Sequence, residues 1–159
     1  MKPYRGIAFI ALALLALSTA GQANVLQVDD VRAGGIIVFE KNGFTARLTG
    51  LVVPGLEHRL GLEIWDFIKR EIHGQRVRVF TWTTNNTAAG IVYDEAGFPF
   101  VTIEYGAIGH EKGTVKNLNE ILLQKGYARV DEKQLPEDRQ HYHDLQKQAQ
   151  ASQVGIWGK

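Results

Sequence analysis

The 159-residue chain contains no cysteine, which excludes disulfides, thiolate metal sites, iron–sulfur clusters and a cysteine nucleophile. It has no surplus of charge either: 18 Lys and Arg stand against 17 Asp and Glu, a net charge of +1. Binding to nucleic acid or anionic lipid would therefore rest on a local patch and not on the field of the whole molecule. Serine is nearly absent. Beyond the N-terminal segment only Ser152 is left, inside a predicted helix, so a Ser/His/Asp triad cannot be built. Low-complexity tracts, internal repeats and interdomain linkers are missing, which excludes collagen, a coiled coil and a disordered tail. With 45% hydrophobic and 22% charged residues, the composition is that of one ordinary globular domain.

What is present begins with the layout of a secretory signal peptide. Lys2 and Arg5 precede an apolar run from Ile7 to Leu17, followed by small residues at Ser18, Thr19, Ala20, Gly21 and Ala23. The run is about half of the ~20 residues that cross a bilayer, so a secretory signal peptide over residues 1–23 is expected, cleaved after Ala23, with Ala20 as second choice. Cleavage removes two cations and no acid, leaving a domain over 24–159 with a net charge of −1. The protein is expected to be exported, either periplasmic or secreted.

From Val25 onward the pattern is strand-rich. Val25–Val31, Ile36–Glu40 and Phe44–Val53 read as strands, the last two joined by a turn at Lys41-Asn42-Gly43. In the third, Phe44, Ala46 and Leu48 share one face, so Arg47 points away from the core. Between Arg59 and His73 the residues Leu60, Ile64, Phe67, Ile68 and Ile72 form a helical stripe, and Gly74 stops the helix. A fourth strand follows at Arg76–Phe80. Further extended stretches at Ala89–Tyr93 and Phe98–Tyr105 are joined by a turn at Asp94–Gly97. Val115, Leu118, Ile121 and Leu122 mark a short helix ended by Gly126. A last helix begins at Pro136, with Tyr142, Leu145 and Ala149 inward. Strands first and helices late make the class α+β, a small closed β-barrel dressed with helices.

Other constellations have plain structural readings. His141 and His143 lie about 200° apart around a helix and cannot face one ion together, so the histidines are read as solvated. Phe80, Trp82, Phe98, Phe100 and Tyr105 resemble a stacking platform for single strands, but core or barrel-rim packing is favoured. Arg76 and Arg78 would join Arg47 in a phosphate-tracking patch only if they shared its surface.

The order of elements and four local matches resemble the staphylococcal-nuclease-like family, an OB-fold barrel of five strands with three helices. The matches are Ala46-Arg47-Leu48 leading to Pro54, then Gly61-Leu62-Glu63, then Leu118 to Val130 with Asn119, Glu120, Gly126 and Ala128, and finally Ala149 followed by Gly155-Ile156-Trp157. The resemblance implies phosphodiester hydrolysis: calcium held by two aspartates, a glutamate that positions or activates water, and two arginines that clamp the phosphate. On this chain the first metal position falls on Gly34 within Ala33-Gly34-Gly35, the second on Val52, the glutamate on Gly55 and the second arginine on Phe98. Arg47 alone is kept, with Glu57 and Asp94 as weak substitutes nearby.

The expectation is a catalytically degenerate nuclease-fold protein, without cofactor, that acts as a binding or structural module. It is expected to dock a protein partner in the cell envelope through Arg47 and Phe98, with Arg76 and Arg78 as further binding candidates. The alternatives are a calcium-dependent phosphodiesterase with a rearranged site, and a single-strand nucleic-acid binder; protein is favoured over nucleic acid as the partner.

Overall fold

The computed structural model describes residues 23–40, 43–84, 90–107, 113–134 and 139–158. Residues 1–22 of the expected export segment, the Lys41-Asn42 part of the predicted turn, Ala89 of an expected extended stretch and the Pro136 helix start lie outside them. Four short strands come first: β1 (Asn24–Arg32), β2 (Ile36–Phe39), β3 (Thr45–Leu48) and β4 (Leu51–Val52). Helix α1 (Gly61–Ile72) follows, then β5 (Arg76–Thr81), β6 (Phe100–Gly106) and β7 (Val115–Asn117). Helix α2 (Leu118–Gln124), β8 (Arg129–Val130), α3 (Arg139–Ala151) and a 3-10 turn (Gly155–Trp157) complete the chain.

The strands pair in the order β3-β2-β1-β5-β6, and a parallel contact of β3 with β6 closes them into a five-stranded barrel. Closure leaves none of these five strands with a long free edge. Period-2 alternation drives the inner faces together: Val28, Val31, Ile37, Ala46, Leu48, Val77, Val79, Val101 and Ile103 are all buried. The stripe of α1 is likewise buried at Ile64, Phe67, Ile68 and Ile72, and Trp65 ties the helix to β1 by donating its indole N–H to the Val31 carbonyl at 2.7 Å. Tyr142, Leu145 and Ala149 of α3 face inward as their spacing predicts. No helix among the described residues is long and apolar enough to cross a membrane.

Two elements differ from the sequence reading. The expected third strand, Phe44–Val53, is cut at Thr49-Gly50, where Gly50 takes φ +71°. β3 stays in the barrel while β4 turns away to pair with β8. The Val115 end of the expected short helix is instead strand β7, which pairs with β6 before Asn117 caps α2. The Asn117 side chain accepts from the Glu120 amide (3.3 Å) and donates to the Glu120 carboxylate (3.1 Å), so the helix begins at a reciprocal cap. The expected stretch before Tyr93 appears only as isolated bridges, Thr83 with Ile91 and Tyr93 with Pro99.

At the far end Gly126 and Gly155 meet. A Cβ on Gly155 would lie 2.1 Å from the Gly126 carbonyl oxygen, which also accepts from the Ile156 amide at 2.7 Å. The sequence matches at Gly126 and Gly155-Ile156-Trp157 therefore form one joint, locking the C-terminus to the end of α2.

Candidate functional site

Arg47 sits on the outer face of β3, between Ile36 of β2 and Phe100 of β6. Its amide donates to the Pro99 carbonyl (2.9 Å), which places it beside the turn that begins at Asp94. That turn is held by its first residue. Asp94 Oδ1 accepts from the Ala96 and Phe98 amides at 2.9 and 2.8 Å, and Oδ2 accepts from Arg47 Nε. Burial works against ionisation of the Asp94 carboxyl. The Phe98 amide, the Arg47 guanidinium and the Ala96 amide outweigh it and hold the group below the usual carboxylate range. The Arg47 side chain keeps 38% of its surface exposed, against 12% for Asp94. Among the described residues no hydrogen bond takes the Nη atoms of Arg47.

The other positions that the resemblance implicates lie on the neighbouring turns. Ile36, opposite Arg47, follows the Ala33–Gly35 turn, and a Cβ on Gly35 would meet the Val53 side chain at 2.7 Å. Val52, Val53, Pro54 and Gly55 run on from there, each partly exposed. A Cβ on Gly55 would lie 2.3 Å from Oε2 of Glu57, so the Glu57 carboxylate folds back over the glycine that the resemblance sets at the glutamate position. Glu57 makes no ion pair among the described residues; of the two substitutes named from sequence, only Asp94 reaches Arg47.

The implied calcium does not fit this set of donors. Gly34 and Val52 bring no side-chain oxygen, and both Asp94 oxygens are engaged by Arg47 and backbone amides. A hard cation needs several oxygens converging on one point. Among the described residues no group of three or more His, Asp or Glu could hold a metal.

The wider patch does not assemble. Arg78 lies on β5 and pairs with Glu104 at 2.8 Å, while Arg76 is exposed on the same strand. Glu104 is four residues along β6 from the partner of Arg47, ~13 Å at ~3.3 Å per residue, so the arginines form two separate spots. The aromatic residues divide as well. Tyr105 is inside the fold, its hydroxyl donating to Glu71 at 2.5 Å. Phe100 is buried beneath Trp82, edge to face at 6.2 Å. Phe80, Trp82 and Phe98 are half-buried. His141 and His143 stay partly exposed and face different groups, His141 the Glu120 carboxylate at 3.5 Å and His143 that of Glu132 at 3.6 Å.

Sequence reasoning missed the Arg47–Asp94 pair, which joins residues 47 apart. Its one sequence signal is an Asp opening Asp-Glu-Ala-Gly, a residue type that caps its own turn and leaves one oxygen for a neighbour. A family model described as staphylococcal nuclease homologue matches residues 45–159. No curated protein matches the chain.

Proposed function

Because the chain belongs to the staphylococcal nuclease homologues, a membership carried by residues 45–159, we propose that it keeps the nuclease fold without the nuclease reaction and works as an exported binding module. The observation that carries this is the state of Arg47. The one retained family cation is engaged by Asp94, a carboxylate of the chain itself, with no metal donors at Gly34 and Val52.

The energetics support the same reading. Losing a general base costs ~10²- to 10⁴-fold in rate. Losing the groups that stabilise developing charge on the phosphoryl centre removes several kcal/mol more, though such losses do not simply add. An Arg47 neutralised by Asp94 also has little long-range attraction for a polyanion, which disfavours a single-strand binder.

In place of the hydrated charges stand Gly34, Val52, Gly55 and Phe98, which make this end more apolar than an ion-binding cleft. Apolar surface of this kind, with a half-buried aromatic such as Phe98, is typical of protein contact sites. The proposed partner is a protein of the cell envelope. A Phe98→Asp variant tests this: cross-linking in intact cells should lose the wild-type adduct while thermal stability stays within ~2 °C. Unchanged adducts would exclude Phe98 from the contact, and a loss of several degrees would make it a packing residue.

A further inference from the structure

The turn that leads into α1 is closed in part by a histidine side chain. The His58 amide donates to the Gly55 carbonyl (3.1 Å), the Gly61 amide donates to the His58 carbonyl (2.8 Å), and the Leu60 amide donates to Nδ1 of the His58 imidazole (3.1 Å). The helix has no side-chain cap at Leu60 itself. His58 thus holds the amide two residues on, a part more often played by Asn or Asp.

That third bond fixes the protonation state of the ring. A backbone N–H can only donate, so Nδ1 must present its lone pair and the imidazole proton must sit on Nε2. A second proton would go to Nδ1, and two donors would then face each other. It would also set a positive charge at the N-terminal end of the 12-residue helix, where the helix dipole is already positive. Both effects have the same sign. The bond is present while His58 is neutral and is lost as pH falls and the ring takes up a proton, a change that histidine makes between pH 5 and 8.

The charged groups around the ring are engaged elsewhere. Glu57 turns its carboxylate over Gly55, and Arg59 donates to the Gly158 carbonyl at 3.0 Å. On the first turn of α1, Glu63 accepts the Tyr127 hydroxyl at 2.5 Å, with Arg70 close by. Among the described residues the histidines within ion-pair distance of a carboxylate are His141 and His143, not His58.

The turn is built so tightly that a change in it is passed on. A Cβ on Gly61 would lie 2.0 Å from the Gly55 carbonyl oxygen and 2.8 Å from Leu56 Cα, so its two arms touch backbone to backbone. Gly55 continues Val52, Val53 and Pro54, and the Val53 side chain lies against Gly35.

We propose that His58 is a pH-sensitive latch: neutral, it holds the 55–61 turn closed against the start of α1; protonated, it lets go of Leu60 and loosens the 52–55 segment beside Gly35. The latch belongs to the turn and does not rest on the binding-module reading.

Nuclear magnetic resonance on the purified protein tests it. Long-range proton–nitrogen spectra at pH 7.5 should show His58 protonated on Nε2 alone. Between pH 7.5 and pH 5 the hydrogen-exchange protection factor of the Leu60 amide should fall about five- to tenfold, the worth of one such hydrogen bond. His58→Asn offers a carbonyl acceptor that does not titrate, so its Leu60 protection should stay constant over the same range. His58→Ala should lack the protection at both pH values. A proton on Nδ1 at pH 7.5 would overturn the latch. So would a wild-type protection factor that does not change, or a loss of equal size in His58→Asn, which would trace the change to another group.

Discussion

Asn119 offers the sharpest test of how the barrel and α2 are joined. β3 leaves β6 after the Leu48–Val101 pair, and β7 joins β6 only from Glu104 onward, so the β6 backbone between them lacks a strand on that side. The fully buried Asn119 amide fills the gap. Its Nδ2 donates to Thr49 O (3.0 Å) and Val101 O (3.3 Å), and its Oδ1 accepts from the Ile103 amide (3.2 Å). Asn119→Ala leaves Val101 O with the Thr49 amide at 2.8 Å but removes the partners of Thr49 O and Ile103 N–H. Two orphaned backbone groups in a dry site cost ~1–3 kcal/mol each, so the expected loss is ~3–4 kcal/mol.

For a domain of this length that corresponds to a melting temperature lower by ~10–15 °C. Asn119→Asp should lose more near neutral pH, because a carboxylate oxygen then faces two carbonyls. Gln124→Ala, exposed on the same helix, should shift by less than ~2 °C. Calorimetry or circular dichroism measures all three. A loss below ~1 kcal/mol for Asn119→Ala would refute the idea that its amide stands in for a missing strand.

Two further predictions concern ionisation. The Asp94 carboxyl is held below its ordinary value of 3.8, so its pairing adds stability above that pH and the contribution is lost as pH falls through the lower, folded value. The wild type should therefore melt higher than Asp94→Asn at pH 6, with the gap closing as pH falls below 3.8 through the folded value; a gap that persists in acid would assign it to turn geometry and not to charge. The Tyr127 hydroxyl, hydrogen-bonded to Glu63 and partly buried, is pushed up to about 12. A raised value means stability present below pH 10 and lost as pH rises through about 12, so ultraviolet titration of wild type against Tyr127→Phe should show one phenol ionising late, and a uniform transition near 10 would contradict this.

Much of the frame is legible in the sequence because it depends on periodicity and local punctuation. The stripe of α1, the inward face of α3 and the alternation around Ala46 and Leu48 each specify burial without knowledge of the partner. Pairing over long distances is not legible in this way. Leu51 and Val52 have the same propensity as Leu48, and only β8 decides that they leave the barrel. Val115 fits a helical period, yet its backbone completes the edge of β6. At the site, the resemblance alone sets Gly34, Val52, Gly55 and Phe98 at the family's metal, glutamate and second-arginine positions. Which carboxylate reaches Arg47 cannot be read from the chain, because Glu57 is drawn over Gly55 while the 94–97 turn aims Asp94. Asn119 is visible in sequence as part of a motif, but its role appears only when Thr49, Val101 and Ile103 surround it.

We propose that the family's fold persists here without its phosphodiester chemistry. Incubation of plasmid and single-stranded DNA with the purified protein, with calcium or with chelator, decides it. The account predicts no calcium-dependent cleavage above background, and none gained or lost in Arg47→Ala. Cleavage that chelator stops and Arg47→Ala abolishes would contradict it.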